Sequence, residues 1–208
     1  MTVRVEGGAR GFAFPGALLT RPTGYANLKK KYGRMGCCPV RVEKQHDGTV
    51  RIWSENPAET EELGVVLGGI LQPGDLFFLS GELGSGKTLF VRGLTQGMNC
   101  TELATSPTFA LVHRYDGPLP LYHLDLYRLT GPEELEPLAL EEMIEEEAAL
   151  AIEWGEPAKE VLAAPYMEVE FRRGEAEDER LITFRPAGER YRRINHLLTE
   201  ELEKQAQR

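Results

Sequence analysis

Residues 81–88 read Gly-Glu-Leu-Gly-Ser-Gly-Lys-Thr and satisfy every specified position of the pattern G-x-x-x-x-G-K-[ST]. Three glycines within six residues suit neither a strand nor a helix, but they let successive backbone N–H groups turn toward a single anion. A short apolar run, Asp75-Leu-Phe-Phe-Leu-Ser80, precedes the loop. The helix-compatible stretch Thr88–Met98 follows it, with Phe90, Val91, Leu94 and Met98 on one face and Gly97 near its end. Strand, glycine loop and helix in this order aim a helix N-terminus at phosphate. Lys87 is placed to reach the outer phosphates of a nucleotide, and Thr88 to offer its hydroxyl to a phosphate-bound Mg2+. The fold expected is therefore α/β, a P-loop NTPase core, with Gly81, Gly84, Ser85, Gly86, Lys87, Thr88 and Leu89 as nucleotide-binding candidates.

The chain of 208 residues is 41% hydrophobic, enough for one domain with a proper core and room for an extension. No stretch approaches the ~18 apolar residues of a membrane span, so no membrane association is expected. Cys37, Cys38 and Cys100 form no disulfide framework, which suits a reducing cytoplasm. Charge is unevenly spread: residues 1–50 carry nine Lys/Arg and three Asp/Glu, a balance of +6, and the remainder balances at −15. Residues 1–50 show no sustained period and read as a basic, poorly ordered N-terminal extension, with residues 51–208 as the folded domain. A globular part this acidic is a poor unaided ligand for nucleic acid, so any RNA is expected to be held by a partner.

Along the chain, Thr49–Ser54 alternates as a strand. Asn56, Pro57 and Glu59 form a helix start, and Leu63, Val66, Leu67, Ile70 and Leu71 follow at the spacing of an amphipathic helix. Thr108–Tyr115 and Leu119–Asp125 read as strands joined by a short turn. That connection implies an antiparallel hairpin and hence a mixed parallel and antiparallel sheet flanked by helices. Residues 131–147 hold eight glutamates and no Lys or Arg, read as a solvated helical face. Ala148–Ile152 is a short apolar strand. Tyr166–Phe171 and Arg180–Phe184 form a closing hairpin, and a terminal helix starts at Glu189.

A phosphate loop needs a carboxylate at the end of a neighbouring strand to anchor its metal. Asp125 suits this role, although an aspartate there also caps turns. Glu153, at the end of another buried strand, is the second candidate, either for the metal or for orienting a water. Taken alone, Trp154 reads as core packing in preference to a place near the nucleotide or at a partner interface, and His113 and His123 read as satisfied structural histidines without zinc-ligand spacing. The hydroxyl-rich Thr105-Ser-Pro-Thr108 reads either as an ordinary turn or as a switch-like loop, with Ser106 and Thr108 sensing a γ-phosphate through the metal.

Together, Gly81–Thr88, Ser106-Pro-Thr-Phe109, His123-Leu-Asp-Leu-Tyr-Arg-Leu129 and Ile152-Glu-Trp-Gly-Glu156 resemble, in order and spacing, the bacterial TsaE family. These are small P-loop ATPases of threonylcarbamoyl-adenosine tRNA modification. The resemblance spans roughly Ser54 to Phe184. It implies ATP as substrate with Mg2+, and partnership with TsaD and TsaB, through which tRNA is engaged indirectly. It further implies that Lys87 and residues 84–88 hold the phosphates and that Thr88 with Glu153 holds Mg2+. Asp125 becomes the Walker-B-like acid, and Thr108 belongs to a switch-like loop. Thr60 would lie near the adenine, and Arg180 near the nucleotide. The catalytic set is then Lys87, Asp125 and Glu153, and the metal set Thr88, Asp125 and Glu153. The family commonly has a second threonine where this chain has Leu89; the metal hydroxyl at Thr88 is unaffected. Two other functions fit a phosphate loop: a nucleotide-gated binding module without required turnover, and a small-molecule kinase. No Asn-Lys-x-Asp guanine signature occurs, and no Arg-rich lid is evident.

Overall fold

The strand that feeds the glycine loop is apolar on both faces, and a strand of that kind is stable only inside a sheet covered on both sides. In the computed structural model, which describes residues 41–107, 110–129 and 131–206, this strand, β3 (Leu76–Gly81), lies near the middle of an eight-stranded sheet. The remaining strands are β1 (Arg41–Lys44), β2 (Val50–Ser54), β4 (Val112–Tyr115), β5 (Leu121–Asp125), β6 (Ala149–Glu153), β7 (Tyr166–Arg173) and β8 (Arg180–Ala187). Their order is β1-β2-β8-β7-β3-β6-β5-β4. β3 runs parallel to β6 and β7, and β6 parallel to β5, whereas β1/β2, β2/β8, β7/β8 and β4/β5 are antiparallel. The mixed sheet and both expected hairpins are therefore present.

Alternation along β3 divides the core. Phe77 and Leu79 face one side with Phe90, Leu94 and Ile194; Leu76 and Phe78 face the other with Leu150, Ile152 and Leu140. The first side is covered by α1 (Pro57–Gly68), α2 (Lys87–Gly97) and α5 (Glu189–Ala206). The second is covered by two 3-10 turns (Pro132–Glu134, Glu136–Leu138) and the short helices α3 (Leu140–Glu145) and α4 (Glu156–Val161).

Helix α1 starts as its sequence requires. The Asn56 side chain accepts a bond from the Glu59 N–H at 3.1 Å, and Glu59 reaches back to the N–H of Glu55 at 2.7 Å, one residue earlier than the usual box. The helix is not amphipathic, however. Residues 63–68 are all buried, because α1 is enclosed by sheet and α2 together. The two helices approach so closely that a Cβ on Gly64 would lie 2.2 Å from the Phe90 carbonyl oxygen, and one on Gly93 2.0 Å from that of Glu61. Gly97 belongs to this same contact. It does not terminate α2 through a left-handed turn; Asn99, at φ 57°, adopts that conformation.

The opposite end of β3 is pinned by α5. Arg190 donates from Nε and Nη2 to the two carboxylate oxygens of buried Asp75 at 2.9 and 2.6 Å, and the Tyr191 hydroxyl accepts from the Leu76 N–H at 2.8 Å. Burial holds the Asp75 carboxyl above its usual range, against the downward pull of Arg190.

Part of the expected N-terminal extension belongs to the sheet. Arg41–Lys44 pairs with β2 and turns back through residues 45–49, so ordered structure begins before residue 51. The reason is edge pairing: β1 is held by its ladder and buries little. Residues 1–40, the rest of the extension, lie outside the described residues, as do Thr108 and Phe109 of the switch-like loop and of the expected 108–115 strand. Among the described residues no helix is long and apolar enough to cross a membrane.

Candidate active site

The loop begins where β3 runs out of pairing. Gly81 takes φ 139°, and a Cβ there would lie 2.4 Å from the Phe171 carbonyl oxygen on the adjacent strand, which excludes any other residue. Gly84 and Gly86 also have positive φ, at 74° and 106°, and the chain enters α2 at Lys87 with no side chain capping its first N–H groups. An uncapped helix start behind a glycine-turned loop leaves N–H donors for an external anion. The loop lines a cavity of about 470 Å3 together with Pro57 and Thr60 from the start of α1, Asp125, Glu153, Trp154 and Arg180.

Lys87 and Thr88 occupy the first turn of α2. Lys87 Nζ donates to the carbonyls of Gly81 at 2.9 Å and Glu82 at 3.1 Å, and lies 4.0 Å from Glu153 Oε2. Burial pushes the ammonium below the ordinary lysine value; the carboxylates of Glu153, Asp125 and Glu156 oppose this. The Thr88 hydroxyl donates to Glu153 Oε1 at 2.9 Å. Its proton therefore points at the carboxylate, and its lone pairs remain for a cation.

Asp125 and Glu153 are register partners at the carboxyl ends of parallel β5 and β6. Both are buried. Asp125 Oδ1 accepts the Tyr127 N–H at 3.1 Å, so the turn-capping role and the position at the site coexist. Lys87, Thr88, Asp125 and Glu153 are thus brought together as expected. Ser85, Gly84, Gly86, Leu89, Thr60 and Ser106 also line the cavity. Gly81 contributes a carbonyl to Lys87 and no wall of the main cavity. The Thr60 hydroxyl is engaged with Ser54 Oγ at 2.8 Å, and its methyl lies 3.5 Å from where a Cβ on Gly86 would stand. Thr60 therefore offers the cavity an apolar contact. Arg180 reaches the site by holding the loop: its Nε donates to the Ser85 carbonyl at 3.0 Å, and Nη1 donates to the carbonyls of Glu177 and Glu179.

Two residues read from sequence as structural are part of the site. Trp154 does not fill the core. At φ 59° the backbone turns its ring into the cavity, where Lys87 Nζ sits 4.5 Å from the ring centroid and Tyr127 packs edge-on at 5.1 Å. His123 is fully buried, but its Nε2 lies 3.0 Å from Glu153 Oε1. The missed signal was strand alternation, which puts His123 on the same face of β5 as Asp125.

A central parallel sheet ending in a glycine loop, a buried lysine and two adjacent carboxylates places this chain in the class of α/β proteins with a P-loop core. Within that class, residues 54–182 match the model of the family described as Threonylcarbamoyl adenosine biosynthesis protein TsaE, and the chain belongs to that family. It is 38% identical over 148 residues to the tRNA threonylcarbamoyladenosine biosynthesis protein TsaE of Bacillus subtilis, covering 71% of this chain and 89% of that one. It is 45% identical over 117 residues to the protein of the same name from Nostoc, covering 53% and 70% respectively. Among solved structures, that of Bacillus subtilis YdiB aligns with a TM-score of 0.61 and 31% identity, covering 79% of this chain and 97% of that one.

Proposed function

We propose that this protein is a Mg-dependent ATPase that supports threonylcarbamoylation of the tRNA adenosine next to the anticodon, acting in the cytoplasm with TsaB and TsaD. The observation that carries the reading is the bond from Thr88 to Glu153 beside Lys87. It presents a hydroxyl oxygen with free lone pairs, at the edge of a glycine-lined cavity, next to two carboxylates. These are hard oxygen donors, the kind magnesium selects when it also takes ligands from substrate phosphate and water. Thr88, Asp125 and Glu153 would hold the ion, which when bound neutralises charge on the transferring phosphoryl group.

The chain's own residues do the rest. The N–H groups of residues 84–88 cradle the phosphates, and Lys87 exchanges its two carbonyl partners for phosphate oxygens. Asp125 or Glu153 orients the attacking water. The methyl of Thr60 and the ring of Pro57 offer an apolar wall for the base. Leu83, 75% exposed at the tip of the loop, and Tyr127, 55% exposed beside Trp154, give the mouth an apolar rim suited to covering by a partner.

The test is ATP hydrolysis by the full-length protein, alone and with TsaB and TsaD. The expected result is a weak intrinsic rate that rises on assembly and is lost in Lys87→Ala. Wild-type rates in Lys87→Ala would refute the site. The exposed apolar rim also fits a module in which nucleotide occupancy alone governs docking. Multiple rounds of tRNA modification supported by a non-hydrolysable ATP analogue would favour that reading.

A further inference from the structure

We propose that His123 is a positioning residue that fixes the Glu153 carboxylate by donating from Nε2; this rests on the Mg-ATP reading of the site given above. A carboxylate oxygen can only accept, so the 3.0 Å contact from His123 Nε2 to Glu153 Oε1 requires the proton on Nε2. The other ring nitrogen, Nδ1, is buried with no hydrogen-bond partner among the described residues. Among the described residues the Nε2 bond is therefore the one that orients the ring.

The bond decides how the carboxylate is used. His123 and Thr88 both donate to Oε1, which leaves Oε2 facing Lys87 at 4.0 Å. Thr88 is also the group assigned to the metal, so its geometry responds to what the cavity holds. His123 is 0% exposed and does not line the cavity, so it is a donor whose position does not depend on a ligand. Its ring is held in turn by Tyr115, tilted against it at 6.4 Å. The Tyr115 hydroxyl is fixed at both ends of Thr105, accepting from its N–H at 3.0 Å and donating to its carbonyl at 3.2 Å. A histidine that merely filled the core would need no bond to a site carboxylate.

Two measurements on the full-length protein test this. Nitrogen-15 NMR of histidine-labelled wild type, with His46, His113 and His196 replaced one at a time for assignment, is expected to show His123 protonated at Nε2. A bare Nε2 would overturn the proposal, whatever the nucleotide result. Calorimetry of ATP with magnesium and with EDTA then gives the ratio of the two affinities. That ratio is expected to fall about tenfold in His123→Phe, the usual scale for losing a group that orients a metal ligand. It is expected to recover most of its value in His123→Gln, whose amide can donate from a similar place. An unchanged ratio in a folded His123→Phe, or equal losses in both variants, would overturn the proposal. Absence of Mg-ATP binding by wild type would instead reject the underlying reading of the site, and the NMR result would still judge the hydrogen bond.

Discussion

Asp125 and Glu153 stand directly opposite each other in the parallel pair β5/β6, each the last residue of its strand. Parallel register therefore delivers two carboxylates side by side at the edge of the sheet where the glycine loop leaves β3. Their partners differ. Glu153 receives Thr88 and His123, whereas Asp125 receives the N–H of its own following turn.

Isosteric substitution tests both carboxylates. Glu153→Gln keeps shape but turns one acceptor into a donor that the Lys87 ammonium and the His123 Nε2–H cannot accept. Hydrolysis is expected to fall ~10²-fold or more, within the range for a group that acts on the reacting atoms. Asp125→Asn is expected to fall comparably, and the double variant by less than the product of the two, since both serve one metal and one water. Steady-state hydrolysis with partners present is the measurement; wild-type rates in either single variant would contradict the assignment.

Trp154 supplies a probe that needs no chemistry. Its ring lies 4.5 Å from Lys87 Nζ, and on the proposed reading Lys87 leaves the Gly81 and Glu82 carbonyls to engage phosphate. The chain has two tryptophans, so Trp53→Phe leaves Trp154 as the sole emitter. Its emission is expected to change on titration with Mg-ATP, and to stay constant in a Lys87→Ala background. A flat signal in the first case would show that lysine and ring do not respond to the ligand.

What was legible in sequence was whatever one short segment determines by itself. The loop from Gly81 to Thr88, the Asn56 cap and the hairpin at Asp116–Pro118 each follow from local backbone chemistry. Features set by distant pairing were not legible. Arg41–Lys44 is an edge strand because β2 offers it a ladder, and its side chains are largely exposed. Residues 63–68 look like one face of a helix but are buried all round, because glycines on α2 admit α1 at backbone contact. Trp154 looks like core until the positive φ that redirects it is seen.

The Asp75–Arg190 pair predicts a pH-dependent stability defect. Asp75 is 3% exposed, and Arg190→Met would leave a buried carboxylate without its cation. Breaking such a pair costs ~3–5 kcal/mol. The Asp75 carboxyl already titrates above its usual 3.8, because burial outweighs Arg190, and loss of Arg190 raises it further. A carboxyl raised in the fold stabilises below its unfolded pKa and loses that contribution as pH rises through its folded pKa. The deficit of the variant is therefore expected to be largest near neutrality and to narrow as pH falls through the raised value toward 3.8. Urea unfolding of both proteins at pH 7.5 and pH 5 measures this; a deficit that widens at pH 5 would contradict it.

The helix contact beneath the site gives a prediction that joins stability to binding. α1 carries Pro57 and Thr60 on one wall of the cavity, and α2 carries Lys87 and Thr88 on the other. Their separation is set by glycines meeting backbone, since a Cβ on Gly93 would approach the Glu61 carbonyl oxygen to 2.0 Å and one on Gly97 that of Val65 to 2.2 Å. Backbone cannot swing aside as a side chain can, so Gly93→Ala must push the helices apart. Overpacking of this kind costs ~1–3 kcal/mol. The better helix propensity of alanine returns about 1 kcal/mol, which leaves a net loss of up to ~2 kcal/mol. Because the two cavity walls move with the helices, Mg-ATP affinity is expected to weaken in the same variant, although no residue touching the ligand is changed. Once the helices are apart, Gly64→Ala adds less than it does alone, a coupling that a double-mutant cycle by urea unfolding detects. Strict additivity, or full nucleotide affinity in a destabilised Gly93→Ala protein, would mean that the glycine contact does not set the spacing of the cavity walls.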